Sequence, residues 1–197
     1  MKLTTWCTLL GILFTTNIFA ETETPSYPNG FVLDLNWGTS VEYFSYTLGL
    51  GYNDIYKFES GGSLGTVLSI TQIMHPNASL DTNGKAETLI SNLATLALVS
   101  YQKPTKAGIR TFQEFGLAYL KPDSKISEDT SVGASLGFGF EIPAVVDPNN
   151  TEGATRASYY VKGVGLLGLG RADKEKIASQ PNMFNRHSID IGVKAYF

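Results

Sequence analysis

The sequence is short of cysteine, charge, histidine and long apolar runs, and each shortage removes a class of protein. Its one cysteine, Cys7, falls inside an amino-terminal apolar stretch. Met1-Lys2, then Leu3–Phe14 and Asn17–Ala20, give the charged start, apolar middle and small final residue of a secretory signal. Cleavage is expected after Ala20, and no lipid-attachment motif surrounds Cys7. Without that residue the chain has no disulfide framework, no thiol chemistry and no cysteine-based metal site. Charged residues make up 17% of the chain, against the ~25% usual in soluble domains. With Lys2 removed, 14 basic residues stand against 18 acidic ones, a net charge of −4. A mildly acidic chain with no basic cluster is not built for nucleic acid. After residue 20 no stretch is apolar over the roughly 20 residues that a membrane helix needs.

What the sequence does have is alternation. In the last ten residues, Ser188–Phe197, the row Ile189, Ile191, Val193, Ala195 and Phe197 is apolar. The other row, Ser188, Asp190, Gly192, Lys194 and Tyr196, is polar apart from its tyrosine. Period two places the rows on opposite faces of a strand. About ten residues is also the length with which a tilted strand crosses a bilayer.

After a polar lead-in over 21–29, the same pattern predicts seven earlier strands. The first is Phe31–Trp37, with a turn at Gly38–Ser40. The second runs Val41–Tyr52, followed by a connection over Asn53–Gly62. The third is Ser63–Met74, followed by a polar loop at His75–Glu87. The fourth, Thr88–Tyr101, alternates Leu93, Ala97, Val99 and Tyr101 against Asn92, Ala94 and Ser100. Leu96 and Leu98 break its pattern, and Leu89, Leu93 and Leu96 allow a helix over its first half. The fifth is Ile109–Leu120, followed by a charged loop at Lys121–Thr130. The sixth sets Val132, Ala134, Leu136, Phe138 and Phe140 against serines and glycines. Ile142–Val146 has no assigned place, and Ile142–Thr155 reads as a long connection. The seventh, Arg156–Gly170, turns Lys162 inward and Tyr159, Val161, Leu167 and Leu169 outward. Arg171–His187 is the longest loop. The expectation is therefore one all-β domain over 30–197, an antiparallel up-and-down transmembrane barrel of about eight strands.

The polar rows decide which face is lipid-facing. They are mostly Gly, Ser, Thr and Asn, which fit the narrow interior of a small barrel better than a solvated surface. With both ends of the chain on one side, Phe31, Tyr52, Tyr101, Phe138, Phe140, Tyr159, Tyr196 and Phe197 fall at the near rim. Trp37, Phe44, Tyr46 and Tyr119 fall at the far rim, while Phe112 points inward against the pattern. The same threading puts Asp34, Arg110, Glu114, Glu141, Lys162, Asp190 and Lys194 inside. Mixed signs at matching depth predict a structural charge network, since so narrow a barrel leaves no room for an open channel.

On this alternation and the Phe197 ending, the chain resembles the small eight-stranded bacterial outer-membrane barrels of the OmpA-transmembrane and OmpX type. The resemblance implies outer-membrane placement and contact with membrane lipid and lipopolysaccharide. It also implies that Phe197 serves as an assembly signature read by the barrel-insertion machinery. The outer loops, His75–Glu87, Lys121–Thr130 and Arg171–His187, are then the expected surface for an extracellular partner. A lipid A deacylase or acyltransferase is the enzymatic alternative, and a soluble lipocalin-like carrier is the rival in fold. The two histidines, His75 and His187, support the enzyme poorly. His187 and Ser188 are adjacent on a strand and so face opposite ways, and His75-Pro-Asn-Ala-Ser79 lacks the expected deacylase string. Neither a metal nor a cofactor is expected. The Gly163–Gly168 run sits in a strand without βαβ context, so it carries no dinucleotide meaning.

Overall fold

The computed structural model describes residues 26–40, 43–80, 86–146, 154–169 and 187–197. The expected leader over 1–20, the first part of the lead-in and most of the 171–187 loop therefore lie outside the described residues. The strands are β1 Gly30–Thr39, β2 Phe44–Lys57, β3 Ser63–Leu80, β4 Ala86–Tyr101, β5 Arg110–Lys121, β6 Ser131–Val146, β7 Thr155–Leu167 and β8 His187–Tyr196. Each pairs antiparallel with its successor, and β8 pairs with β1, closing an eight-stranded up-and-down barrel. Closure leaves no unpaired edge within the barrel wall.

The register fixes the shape. From Leu33 the cross-strand partners run through Leu50, Leu68, Leu96, Leu117 and Ala134 to Leu167 on β7. In the other direction they run through Ala195 to Ala157, again on β7. The two arrivals differ by 167 − 157 = 10 residues, which is the shear of the barrel. Eight strands at that shear, with a rise of ~3.3 Å per residue and a spacing of ~4.7 Å, tilt by ~40°.

Outside, the wall is apolar. Leu50, Leu68, Leu96 and Leu117 are all more than half exposed. Phe31, Tyr52, Phe140 and Tyr159 ring the near rim, and Trp37, Phe44, Tyr46 and Tyr119 ring the far one. At ~40° of tilt the rings on β1 and β2 lie ~15–20 Å apart, within the ~25 Å height of the apolar band of a membrane barrel. Inside, glycine is a packing requirement. A Cβ on Gly192 would lie 2.5 Å from the Tyr160 ring, and one on Gly139 would lie 2.8 Å from Phe112.

Several elements differ from their sequence-based expectation, each for a physical reason. β4 contains no helix. Its inward row is Leu89, Ser91, Leu93, Thr95, Ala97, Val99 and Tyr101, while Leu96 and Leu98 face outward. Both rows are largely apolar because β4 passes two apolar clusters inside the barrel, so alternation is hidden. Tyr101 and Tyr196 do not join the near ring. Both are buried inside, where their rings and hydroxyls serve Arg110. Phe112 is fully buried between Tyr101 and Tyr160.

Leu169 also points in, because Gly168 at φ 73° turns the chain into the barrel mouth after β7 has ended. β2 runs on past Tyr52 through an irregularity containing Asp54, at φ 57°, which reduces the connection to a tight turn over 58–62. β6 absorbs Ile142–Val146, with Pro143 next to a register shift, one of the few places a strand tolerates proline. β3 and β4 extend beyond the barrel as a hairpin, so the expected 75–87 loop shrinks to its tip and His75 lies in a strand.

Candidate functional site

Because the barrel is filled by side chains, its interior is the first candidate site, and it is layered from the near end to the far end. At the near end the lead-in residue Tyr27 folds under the barrel and is buried. Its hydroxyl donates to the Gly108 carbonyl at 2.8 Å, and Asn53 donates to the Pro28 carbonyl at 2.8 Å. The Arg110 guanidinium is sandwiched between the rings of Tyr27, at 3.6 Å, and Tyr101, at 3.8 Å. It donates to Glu141 at 3.3 Å and to the Tyr196 hydroxyl at 2.9 Å.

Glu141, fully buried, is the hub of this layer. Besides Arg110 it takes the Lys194 ammonium at 3.5 Å and accepts hydrogen bonds from Ser158 and Tyr196. Lys194 also lies 4.3 Å from the centroid of the Phe112 ring. A stacked, multiply bonded guanidinium beside a multiply coordinated carboxylate satisfies most of the polarity that burial would otherwise strand.

One layer further in, Lys162 donates to Glu114 at 2.8 Å. The Tyr160 hydroxyl donates to Asp34 at 2.5 Å and accepts from the Asn36 amide at 2.8 Å. Asp190 faces Lys162 across β7 and β8 and accepts from Ser188 at 2.9 Å. Asp34 and Lys194 face each other in register, yet Asp34 is held by Tyr160 while Lys194 turns to Glu141.

The structure thus brings together all the charged residues expected inside, as four carboxylates, Asp34, Glu114, Glu141 and Asp190, against three cations, Arg110, Lys162 and Lys194. Sequence reasoning missed their neutral partners. Tyr27, Asn53, Ser158 and Tyr160 carry no signal of inward placement other than strand parity, and Tyr27 lies outside any strand.

Above the charges, Ser45, Thr71, Thr95, Ser135 and Ser188 line a cavity of about 50 Å³ whose floor includes Asp34, Glu114, Lys162 and Asp190. That is room for roughly three water molecules. Its roof is apolar, made by Tyr43, Ile73, Leu93 and Leu166. A lipocalin-like carrier would need the reverse arrangement, with an apolar lumen inside a polar wall.

Among the described residues the histidines do not assemble a hydrolytic site. His75 is buried and inward-facing on β3, its ring 6.0 Å from that of Tyr43. His187 opens β8 on the outward face, opposite in direction to Ser188. Among the described residues no group of His, Cys, Asp or Glu is arranged to hold a metal ion.

No family model matches the chain, and no curated protein sequence does. Among solved structures it is similar to the Yersinia pestis outer membrane protein Ail in a phospholipid bilayer nanodisc. That likeness has a TM-score of 0.48 at 9% identity, covering 86% of this chain and 100% of the other. It is also similar to Neisserial surface protein A, with a TM-score of 0.41 at 13% identity, over 85% of this chain and 94% of the other. Both likenesses are too distant to carry an argument about function.

Proposed function

We propose that this chain is an integral outer-membrane β-barrel protein, exported by the leader over 1–20, with a non-enzymatic structural or surface-interaction role. The observation that carries the membrane reading is the exterior. A closed wall of exposed leucine, isoleucine and aromatic side chains, ringed at both rims and enclosing buried charge, is unstable in water and matched to lipid. With the chain ends in the periplasm, the far rim faces outside, toward lipopolysaccharide and any extracellular partner. The working surface is then the loops at that rim, chiefly 121–130 with its exposed Lys121, Lys125, Glu128 and Asp129, together with the β3–β4 tip and 171–187. Replacing these three loops by short turns should leave a folded barrel and abolish binding of whole cells to their partner surfaces. Unchanged binding would remove the loops from the function.

The interior network, Asp34, Arg110, Glu114, Glu141, Lys162, Asp190 and Lys194, has a structural role in this reading. Phe197, 71% exposed just beyond β8 with its N–H bonded to the Phe31 carbonyl, is the residue offered to the insertion machinery. Phe197→Ser should lower the amount of barrel reaching the membrane several-fold in an immunoblot of membrane fractions. It should leave the unfolding midpoint of the inserted fraction nearly unchanged, because the side chain packs on little. A normal membrane level would end the assembly role.

A further inference from the structure

The far mouth of the barrel is closed by the inner side of a loop whose exposed side chains serve the surface reading. Residues 122–130, between β5 and β6, form a polar loop in which Ser124, Lys125, Glu128 and Asp129 are exposed. Ile126, its one large apolar side chain, is driven inward and fully buried, with Ser127 buried beside it. It packs with Leu89, Leu120 and Leu169 on top of the cavity roof, completing an apolar stopper over a polar, carboxylate-rich chamber.

The loop is tied down at its margin, to the outer part of β4. Asp123 accepts from the Ile90 N–H at 3.2 Å and its own N–H donates to Ser91 at 3.1 Å, while Lys125 meets Glu87 at 2.5 Å. The Lys125–Glu87 pair is partly solvent-exposed, so it holds the loop only weakly and less still in salt. A half-turn at Asp123, whose carbonyl accepts from Ile126 and Ser127, makes the segment a compact body able to move as a unit.

We propose that residues 122–130 are a lid with Ile126 as its stopper, opening at the far face to admit water and small cations into the chamber. The chamber selects cations because Asp34, Glu114 and Asp190 border it against the one ammonium of Lys162. It is a dead end. The stacked Arg110 and the aromatic rings around it fill the near end, so the opened lid exposes a chamber without making a pore.

The test places a thiol in the chamber, as Ser135→Cys in a Cys7→Ser background. The full-length barrel, in lipid vesicles, is exposed to 2-aminoethyl methanethiosulfonate or its anionic 2-sulfonatoethyl counterpart. Labelling is followed by mass and normalised to a free thiol. The parent should label slowly, and faster with the cationic reagent than with the anionic one. Ile126→Ser should speed labelling roughly ten- to a hundredfold, the loss expected when one isoleucine no longer has to be exposed on opening. Ile126→Leu should restore the slow rate.

Unboiled gel mobility checks that each variant is folded. If Ile126→Ser proves unfolded, a Glu87→Cys/Lys125→Cys disulfide gives the independent reading: labelling at position 135, read by peptide mass, should be slower in the oxidised protein than in protein reduced and freed of reductant before the reagent is added. Parent labelling as fast as a free thiol, a rate indifferent to Ile126 and to the lock, or equal rates for the two reagents would overturn the proposal.

Discussion

Glu141→Gln is expected to destabilise the folded barrel by ~3–5 kcal/mol, the usual consequence of removing one partner from a buried ion pair. The carboxylate is fully buried and answers two cations, Arg110 at 3.3 Å and Lys194 at 3.5 Å. Glutamine has the same shape, so packing against Ser158 and Tyr196 survives while the negative charge does not. Arg110 and Lys194 are then left without their counter-charge in an interior that water hardly reaches. Reversible denaturant unfolding in lipid vesicles measures the loss. Adding Lys194→Met to Glu141→Gln should recover part of it, because the number of uncompensated charges falls. A Glu141→Gln barrel as stable as the parent would mean that the near-end layer is hydrated and does not bear on stability.

The second large effect lies on the opposite face of the wall. Leu136 projects outward near the middle of β6, flanked by Phe115 on β5 and Gly165 on β7. Leu136→Arg should cost ~2–4 kcal/mol, the midplane penalty for a basic residue facing lipid. Leu136→Phe, which keeps an apolar surface toward lipid, should be nearly neutral. The same vesicle titration reads both. If arginine is as well tolerated as phenylalanine, the exterior of β6 faces water and not lipid.

How much of this was legible in the sequence depended on whether the two faces of a strand differ in chemistry. β8 and β6 read cleanly because one row is large and apolar while the other is glycine, serine and isolated charge. Strand parity there placed Glu141, Asp190 and Lys194 inside, and parity on β1, β5 and β7 did the same for Asp34, Arg110, Glu114 and Lys162. β4 read as a strand over Thr88–Tyr101, but its facing did not, because its inward row is largely apolar as well. Leu89 and Leu93 meet the far-end stopper, and Val99 and Tyr101 meet the near-end rings.

Tyrosine caused the second kind of error. Its ring suits a membrane rim and its hydroxyl suits a buried network, and composition does not separate the two uses at Tyr101 and Tyr196. Strand ends were hard for a third reason. β2 and β6 continue through irregularities at Asp54 and Pro143, residues that read as breaks in a sequence. Tyr27 and Ile126 are the instructive omissions, since both lie outside the strands and both close an end of the barrel. Ile126 did leave one signal, a single large apolar side chain in an otherwise polar nine-residue connection.

The central claim is that this barrel turns its apolar wall to lipid. Washing total membranes with alkaline carbonate, then running the pellet unboiled and boiled in dodecyl sulfate, tests it most directly. A lipid-embedded barrel stays in the pellet and runs at a different position before boiling than after, because its closed hydrogen-bonded wall resists the detergent. Release into the wash without detergent, with one mobility regardless of boiling, would contradict the account.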